Sequence, residues 1–365
     1  FFFHAEDGIR DVERSRGLGD VYKRQWNMLR KFFEISDPLP LLGCIAFGLI
    51  DRGTNVIQVR PITTCPLSCI FCSTDAGPRS KHRRTEYIVP LEYLIEWFKQ
   101  IVAFKGEHGI EAHIDTVGDP ITYPRIADLV SSLSQIKGVE VISMQTHGSI
   151  LTEKLLDELS DAGLTRINFS IDALDPNLAK ELSGTRWYNP ERIIDLMRYI
   201  VSNTKIDLLI APIWIPSLND SEMPKIIRLA KELGAGRKYP ALGIQKYLIH
   251  KRGRKVRGVK PISWRKFYDQ LRRWEIRFGV KLVLSPADFG MHKRSKLPIP
   301  YRRFEVIRVK VVGPGWLKGE ALAVTEKHDR NITLVNAENL PVGIKLKARI
   351  ISNKDNIFVA KPIYP

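Results

Sequence analysis

The chain of 365 residues carries 57 lysines and arginines against 40 aspartates and glutamates, a net charge of +17. With 44% apolar residues it is long enough to bury a sizeable core across two domains, and no run reaches the ~18 apolar residues a membrane span needs. The basic excess points to a polyanionic partner, with a surface adapted to heat or salt as the plain alternative.

Residues 1–25 show neither an apolar period nor the h-region of a signal peptide. Five basic residues (Arg10, Arg14, Arg16, Lys23, Arg24) balance five acidic ones (Glu6, Asp7, Asp11, Glu13, Asp20), so the excess charge lies elsewhere. The segment resembles translated sequencing-adapter read-through. We expect an artefactual extension, with the authentic start near Met28 or upstream. The apolar stretch 39–50 is broken by Pro40, Gly43 and Gly48 and reads as buried or interfacial structure before the first strand.

From residue 56 onward, strand and helix patterns alternate. Apolar, β-branched runs at 56–59, 112–116, 139–144, 166–171, 208–213 and 242–248 predict strands. Amphipathic stretches at 91–104, 123–135, 152–162, 190–201 and 221–233 predict helices. This is an α/β pattern, a parallel sheet with right-handed crossovers.

Just after the first strand stands Cys65-Pro66-Leu67-Ser68-Cys69-Ile70-Phe71-Cys72, which holds three of the four cysteines in a C-x3-C-x2-C spacing. Thiolates select iron–sulfur clusters, zinc or copper. A structural zinc site closes its tetrahedron with a fourth ligand, here a histidine or Cys44. A [4Fe–4S] cluster takes four cysteines, so three leave one iron open. So few cysteines, clustered, fit a reducing cytoplasm better than a disulfide framework.

The spacing, with Phe71 before the last cysteine, resembles the signature of the radical S-adenosylmethionine (SAM) superfamily. The flanking 51–54 and 73–78 stretches resemble an uncharacterised, largely archaeal subgroup of it. The resemblance implies a partial (β/α)6 TIM-like barrel. It also implies a [4Fe–4S] cluster on Cys65, Cys69 and Cys72 and reductive cleavage of SAM to a 5′-deoxyadenosyl radical. An electron donor such as ferredoxin or flavodoxin follows from it as well.

Later motifs extend the likeness. Val117-Gly118-Asp119-Pro120 resembles the family's Gly-Gly-Glu-Pro motif and makes Gly118 and Asp119 candidate SAM contacts, together with Phe71; a turn glycine and an N-cap aspartate are the bland reading. Gln145-Thr146-His147-Gly148 faces SAM or substrate, or is a plain turn. Alternation along 168–172 puts Asn168, Ser170 and Asp172 on one face, and the resemblance carries Ser170 and Asp172 over as SAM contacts.

Residues 237–273 are strongly basic, with Tyr247, His250, Trp264, Tyr268 and Trp274 interleaved. Phosphates pair with such cations and unpaired bases stack on such rings. The loop Lys251, Arg252, Arg254, Lys255 and Arg257 is the candidate nucleic-acid contact, a solvated cationic face being the alternative. Residues 291–304 read as a basic linker between a core at 26–290 and a C-terminal unit at 305–365. Strand runs at 306–312, 320–325, 332–335, 345–351 and 357–360 predict a small OB-like barrel, which resembles the RNA-binding TRAM domain. The expected function is RNA modification, of tRNA foremost. A peptide or small-molecule substrate, or a metal-stabilised RNA binder without catalysis, are the rivals. Methylthiolation is disfavoured, since only Cys44 remains for a second cluster.

Overall fold

The computed structural model describes residues 9–11 and 30–364. Strand β1 (Ile9–Asp11) pairs antiparallel with β2 (Lys31–Ile35). The rest of the 1–25 segment, and the expectation made for it, lies outside the described residues. Strand β3 (Gly48–Asp51) turns back on β4 (Val56–Arg60), and β5 (Thr85–Ile88) returns parallel to β2.

The alternating core follows: α1 (Leu91–Lys105), β6 (Ile110–Ile114), α2 (Ile126–Ser134), β7 (Val139–Thr146), α3 (Glu153–Ala162), β8 (Arg166–Phe169), α4 (Pro176–Ser183), α5 (Pro190–Asn203) and β9 (Asp207–Ile210). The sheet order is β3-β4-β6-β7-β8-β9, parallel at every step from β4 onward. Each parallel strand is followed by a helix that covers the sheet, so strand carboxyl ends gather on one side.

The sixth strand expected at 242–248 is a broken one. Leu242 forms an isolated bridge with Ile210, and β10 (Ile213–Trp214) pairs, across α6 (Glu222–Leu233), with β11 (Gln245–Lys246). Pro212 has no N–H to continue the ladder, and the break falls there. The sixth member of the continuous sheet is instead antiparallel β3, from the 39–50 stretch. Helix α7 (Trp264–Phe278) follows β11. No helix among the described residues is long and apolar enough to cross a membrane.

Strands β12 (Val306–Pro314), β13 (Glu320–Thr325), β14 (Asn331–Val335), β15 (Lys345–Ser352) and β16 (Val359–Ile363) close a barrel in the order β12-β13-β14-β16-β15. Its interior holds Val309, Val311, Ala321, Ala323, Ile332 and Phe358. Along β13 the side chains alternate: Ala321 and Ala323 fill the barrel, while Leu322 and Val324 enter the core of the main sheet, joined by Val312, Trp316 and Leu317. The barrel therefore shares a wall with the core.

The segment expected as a linker is also seated. Arg294 N donates to Gly53 O (2.9 Å), Lys105 Nζ to Ser295 O (3.0 Å) and Leu297 N to Asp51 Oδ2 (2.7 Å). On the far side, Phe358 N donates to Gly43 O (2.9 Å), and a Cβ at Gly43 would lie 2.2 Å from Asn331 O. That close approach is why glycine interrupts the apolar stretch there.

Because the wall is shared, core and barrel should melt in one calorimetric transition. Trp316→Ala, which empties a buried ring site, should cost about 3–5 kcal/mol. Two separate transitions, or a Trp316→Ala protein as stable as wild type, would show the barrel to be an independent appendage.

Candidate functional site

Cys65, Cys69 and Cys72 leave the end of β4 and line one cavity of about 280 Å³. Phe71, Gly118, Ser170 and Asp172 line the same cavity. Cys65 and Cys69 are buried and Cys72 is half-buried. Burial pushes the Cys65 thiol well above its ordinary pKa, reinforced by Asp119 and Cys72. Burial does the same for Cys69, reinforced by Cys65 and Cys72. Metal binding must displace those protons, so its energy is coupled to pH. Cys44 does not line the cavity. Its sulfur accepts from Ala46 N (3.4 Å), and burial raises its pKa to about 11. No three His, Cys, Asp or Glu side chains among the described residues converge on a single-ion site. The donor set fits a cluster held by three thiolates, with Cys44 unavailable as a fourth ligand.

The cysteine loop is braced along its whole length. At its start, a Cβ on Gly118 would lie 2.0 Å from Thr64 O, and Asp119 N donates to that oxygen (2.8 Å). At its end, Thr74 Oγ1 donates to Val117 O (2.6 Å). In the middle, Ser68 N donates to Ser183 O (3.0 Å) and Ile70 N to Leu182 O (2.9 Å). These last acceptors end α4, a helix absent from the sequence reading. Its signals were present: Asp175 caps Asn177 N (3.0 Å) and Leu178 N (2.8 Å), Pro176 sits at the first helical position, and Gly184 ends it at φ 59°.

Arg83, which sequence reasoning missed, has a fully buried side chain. Its guanidinium donates to Thr63 O (2.5 Å), Thr74 O (3.2 Å), Thr74 Oγ1 (3.2 Å) and Val117 O, and pairs with Glu86 (3.2 Å). The barrel's Trp316 ring lies 4.9 Å from it. One cation thus joins the cysteine loop, the 117–119 loop and the barrel. It sits in a basic run, where nothing marks one residue for burial.

Arg254 corrects an expectation. Read as a nucleic-acid contact, its guanidinium is instead turned inward: it pairs with Asp75 (2.8 Å) and donates to Cys69 O (2.9 Å) and Ala76 O. Its backbone N donates to Cys72 O (2.8 Å), and a Cβ on neighbouring Gly253 would lie 2.8 Å from that same oxygen. Arg254 is a clamp on the cysteine loop, with each of its three guanidinium nitrogens engaged there. Lys251, Arg252, Lys255 and Arg257 around it are exposed.

Asp119 also differs from expectation. Its buried carboxylate caps Ile121 N (3.2 Å) and accepts from Thr146 Oγ1 (2.7 Å) and His147 N (3.0 Å), so it orders the 145–148 turn and does not line the cavity. Ser170 Oγ accepts from Gln145 Nε2 (2.8 Å). Asp172 accepts from Ile213 N (2.7 Å), and burial raises its pKa, partly offset by His147. Gln145, His147, Lys246, Tyr247 and His250 also line the cavity. Tyr247 Oη accepts from Val256 N (3.0 Å), tying the basic loop to the cavity wall.

The family model described as Radical SAM superfamily matches residues 59–230. The chain is similar to an uncharacterized protein of Methanocaldococcus jannaschii, 47% identical over 352 residues, or 91% of this chain and 81% of that protein. It is also similar to a GTP 3′,8-cyclase of Alkaliphilus metalliredigens, 29% identical over 181 residues. That match covers 49% of this chain and 53% of the cyclase, so the chain spans about half the cyclase's length. Among solved structures, Streptococcus suis SuiB bound to S-adenosylmethionine aligns at a TM-score of 0.46 with 17% identity, over 66% of this chain and 50% of that one.

In metal-free protein, iodoacetamide should modify Cys72 before Cys65, Cys69 and Cys44. The raised pKa values leave little thiolate, so labelling of the slow three should accelerate as pH rises. Peptide mass mapping over time reads the order, and equal rates would contradict the burial described. Arg83→Met should cost about 3–5 kcal/mol in denaturant melts, because it strands buried partners of a charge. A neutral result would remove Arg83 as the brace.

Proposed function

The chain belongs to the radical SAM superfamily, and from that premise we propose that it is an RNA-modifying enzyme, acting on tRNA foremost. It is an iron–sulfur enzyme whose cofactors are a [4Fe–4S] cluster and SAM. Cys65, Cys69 and Cys72 hold the cluster on this reading, and Phe71, Gly118, Ser170 and Asp172 hold SAM. When bound, the cluster would supply one-electron reduction of SAM, the chemistry that makes hydrogen-atom abstraction from a substrate possible. The chain's own residues set the stage for that step. Arg83 and Arg254 fix the cysteine loop, and Asp119 orders the turn carrying His147.

The observation that carries the RNA reading is the position of the free cations. Lys246 and His250 line the cavity that the cysteines line, and the exposed Lys251, Arg252, Lys255 and Arg257 follow directly in the chain. A polyanion gripped there would present one residue to the cavity. The C-terminal barrel acts on this reading as a TRAM-like RNA-binding module, and a ferredoxin or flavodoxin of the reducing cytoplasm supplies electrons. A second reading, a phosphorylated small molecule, draws on the likeness to a protein named for GTP cyclisation over half of the chain.

Anaerobically reconstituted protein should produce 5′-deoxyadenosine from SAM. Alanine at Cys65, Cys69 or Cys72 should abolish this, and Cys44→Ser should not. RNA affinity should fall with salt at a log–log slope of about −0.7 per phosphate neutralised. Replacing Lys251, Arg252, Lys255 and Arg257 together with glutamine should flatten that slope by about 0.7 for each phosphate no longer paired. Affinity indifferent to salt would move the small-molecule reading to first place.

A further inference from the structure

The aromatic residues interleaved with the basic run differ in their surroundings. Tyr247 and Trp274 are buried, the latter packed against Trp214 at 5.1 Å. Trp264 is different. It opens α7 with 53% of its surface exposed, backed by Tyr268 in a stacked arrangement (5.8 Å, 24°) and by the edge of Phe267 (5.9 Å, 87°). Isolated exposed tryptophans are common on protein surfaces. This one has the ammonium of Lys246 4.9 Å from its ring centre. Lys246 lines the cavity and has no carboxylate partner among the described residues. An exposed ring held firm from behind thus stands beside an unpaired cation at the rim of the cavity.

We propose that Trp264 is a stacking platform for one base of single-stranded RNA, and that Lys246 receives the phosphate joining that base to the nucleotide entering the cavity. The inference rests on the RNA reading above and names the form of the substrate: unpaired, since a base inside a duplex offers no free face. The ring supplies sequence-tolerant stacking. Lys246, held over the ring in the free protein, exchanges that contact for a phosphate when a base arrives. Arg265 and Lys266, exposed at the start of α7, extend the cationic track along the strand.

Binding to full-length reconstituted protein would be measured with two probes, a short single-stranded oligoadenylate and inorganic polyphosphate. Trp264→Ala should weaken the oligoadenylate roughly 5- to 150-fold, the loss expected for one base–ring stack. It should leave polyphosphate binding and the salt slope unchanged, and Trp264→Phe should recover most of the loss. Lys246→Gln should weaken both probes and reduce the slope by about 0.7. Salt-dependent oligoadenylate binding that ignores Trp264→Ala, in a variant that melts like wild type, would overturn the platform and spare the RNA reading. Wild-type protein that binds neither probe at any salt would overturn both, and would assign the exposed ring to a protein surface.

Discussion

Arg83 is a cation placed where water does not reach it, and the groups that receive it come from the cysteine loop, the 117–119 loop, β5 and the barrel. Glu86 faces it, but Glu86 also pairs with Arg30 (3.1 Å). Two cations therefore share one carboxylate, and the carbonyls of Thr63, Thr74 and Val117 take up the remainder. A buried charge missing any of these partners would be costly. The arrangement tolerates little slack, so the cysteine loop, the 117–119 loop and the barrel hairpin hold one relative position. A neighbouring excess of positive charge also suits a site that must hold thiolates. Burial dominates at Cys65 and Cys69, and Arg83 opposes it at the first, Arg254 at the second.

The two arginines divide the work by position. Arg83 reaches the cysteine loop from the barrel side, through Trp316. Arg254 reaches it from the basic loop, whose backbone lies close enough to Cys72 O and Ser73 O to exclude a side chain at Gly253. Whatever Lys255 of that loop contacts is thus one residue away from a direct hold on the cysteines.

Much of this was legible in the chain, and the illegible parts share a cause. Three cysteines in close spacing face one cavity because a short loop has few ways to arrange them. Ser170 and Asp172 reach the same wall, but from the connection just past β8, and Asn168, read onto their face, does not line the cavity. Periodicity also located the helices from 91 to 233, with the exception of α4, whose cap signals sit in a segment that otherwise resembles a connection. Arg254 misled because a count of basic residues is blind to which of them turn inward. Asp119 misled because a carboxylate after a strand serves equally as ligand or brace, and the donors that decide it, Thr146 and His147, lie far off in sequence. The fixed path of the 291–304 segment was illegible for the same reason. Prolines and lysines mark an irregular path, but only the partners Gly53, Asp51 and Lys105 reveal that the path is fixed.

The strand β13, buried on both faces, bears on how the protein is made. The barrel follows the sheet in the chain, so during synthesis the sheet, the cysteines and Arg83 emerge before Trp316, Leu322 and Val324 can cover them. The nascent chain holds an exposed apolar wall and a half-solvated guanidinium until Trp316 and β13 emerge. A chain halted before β13 therefore presents an uncovered apolar wall, a surface open to chaperones and to aggregation.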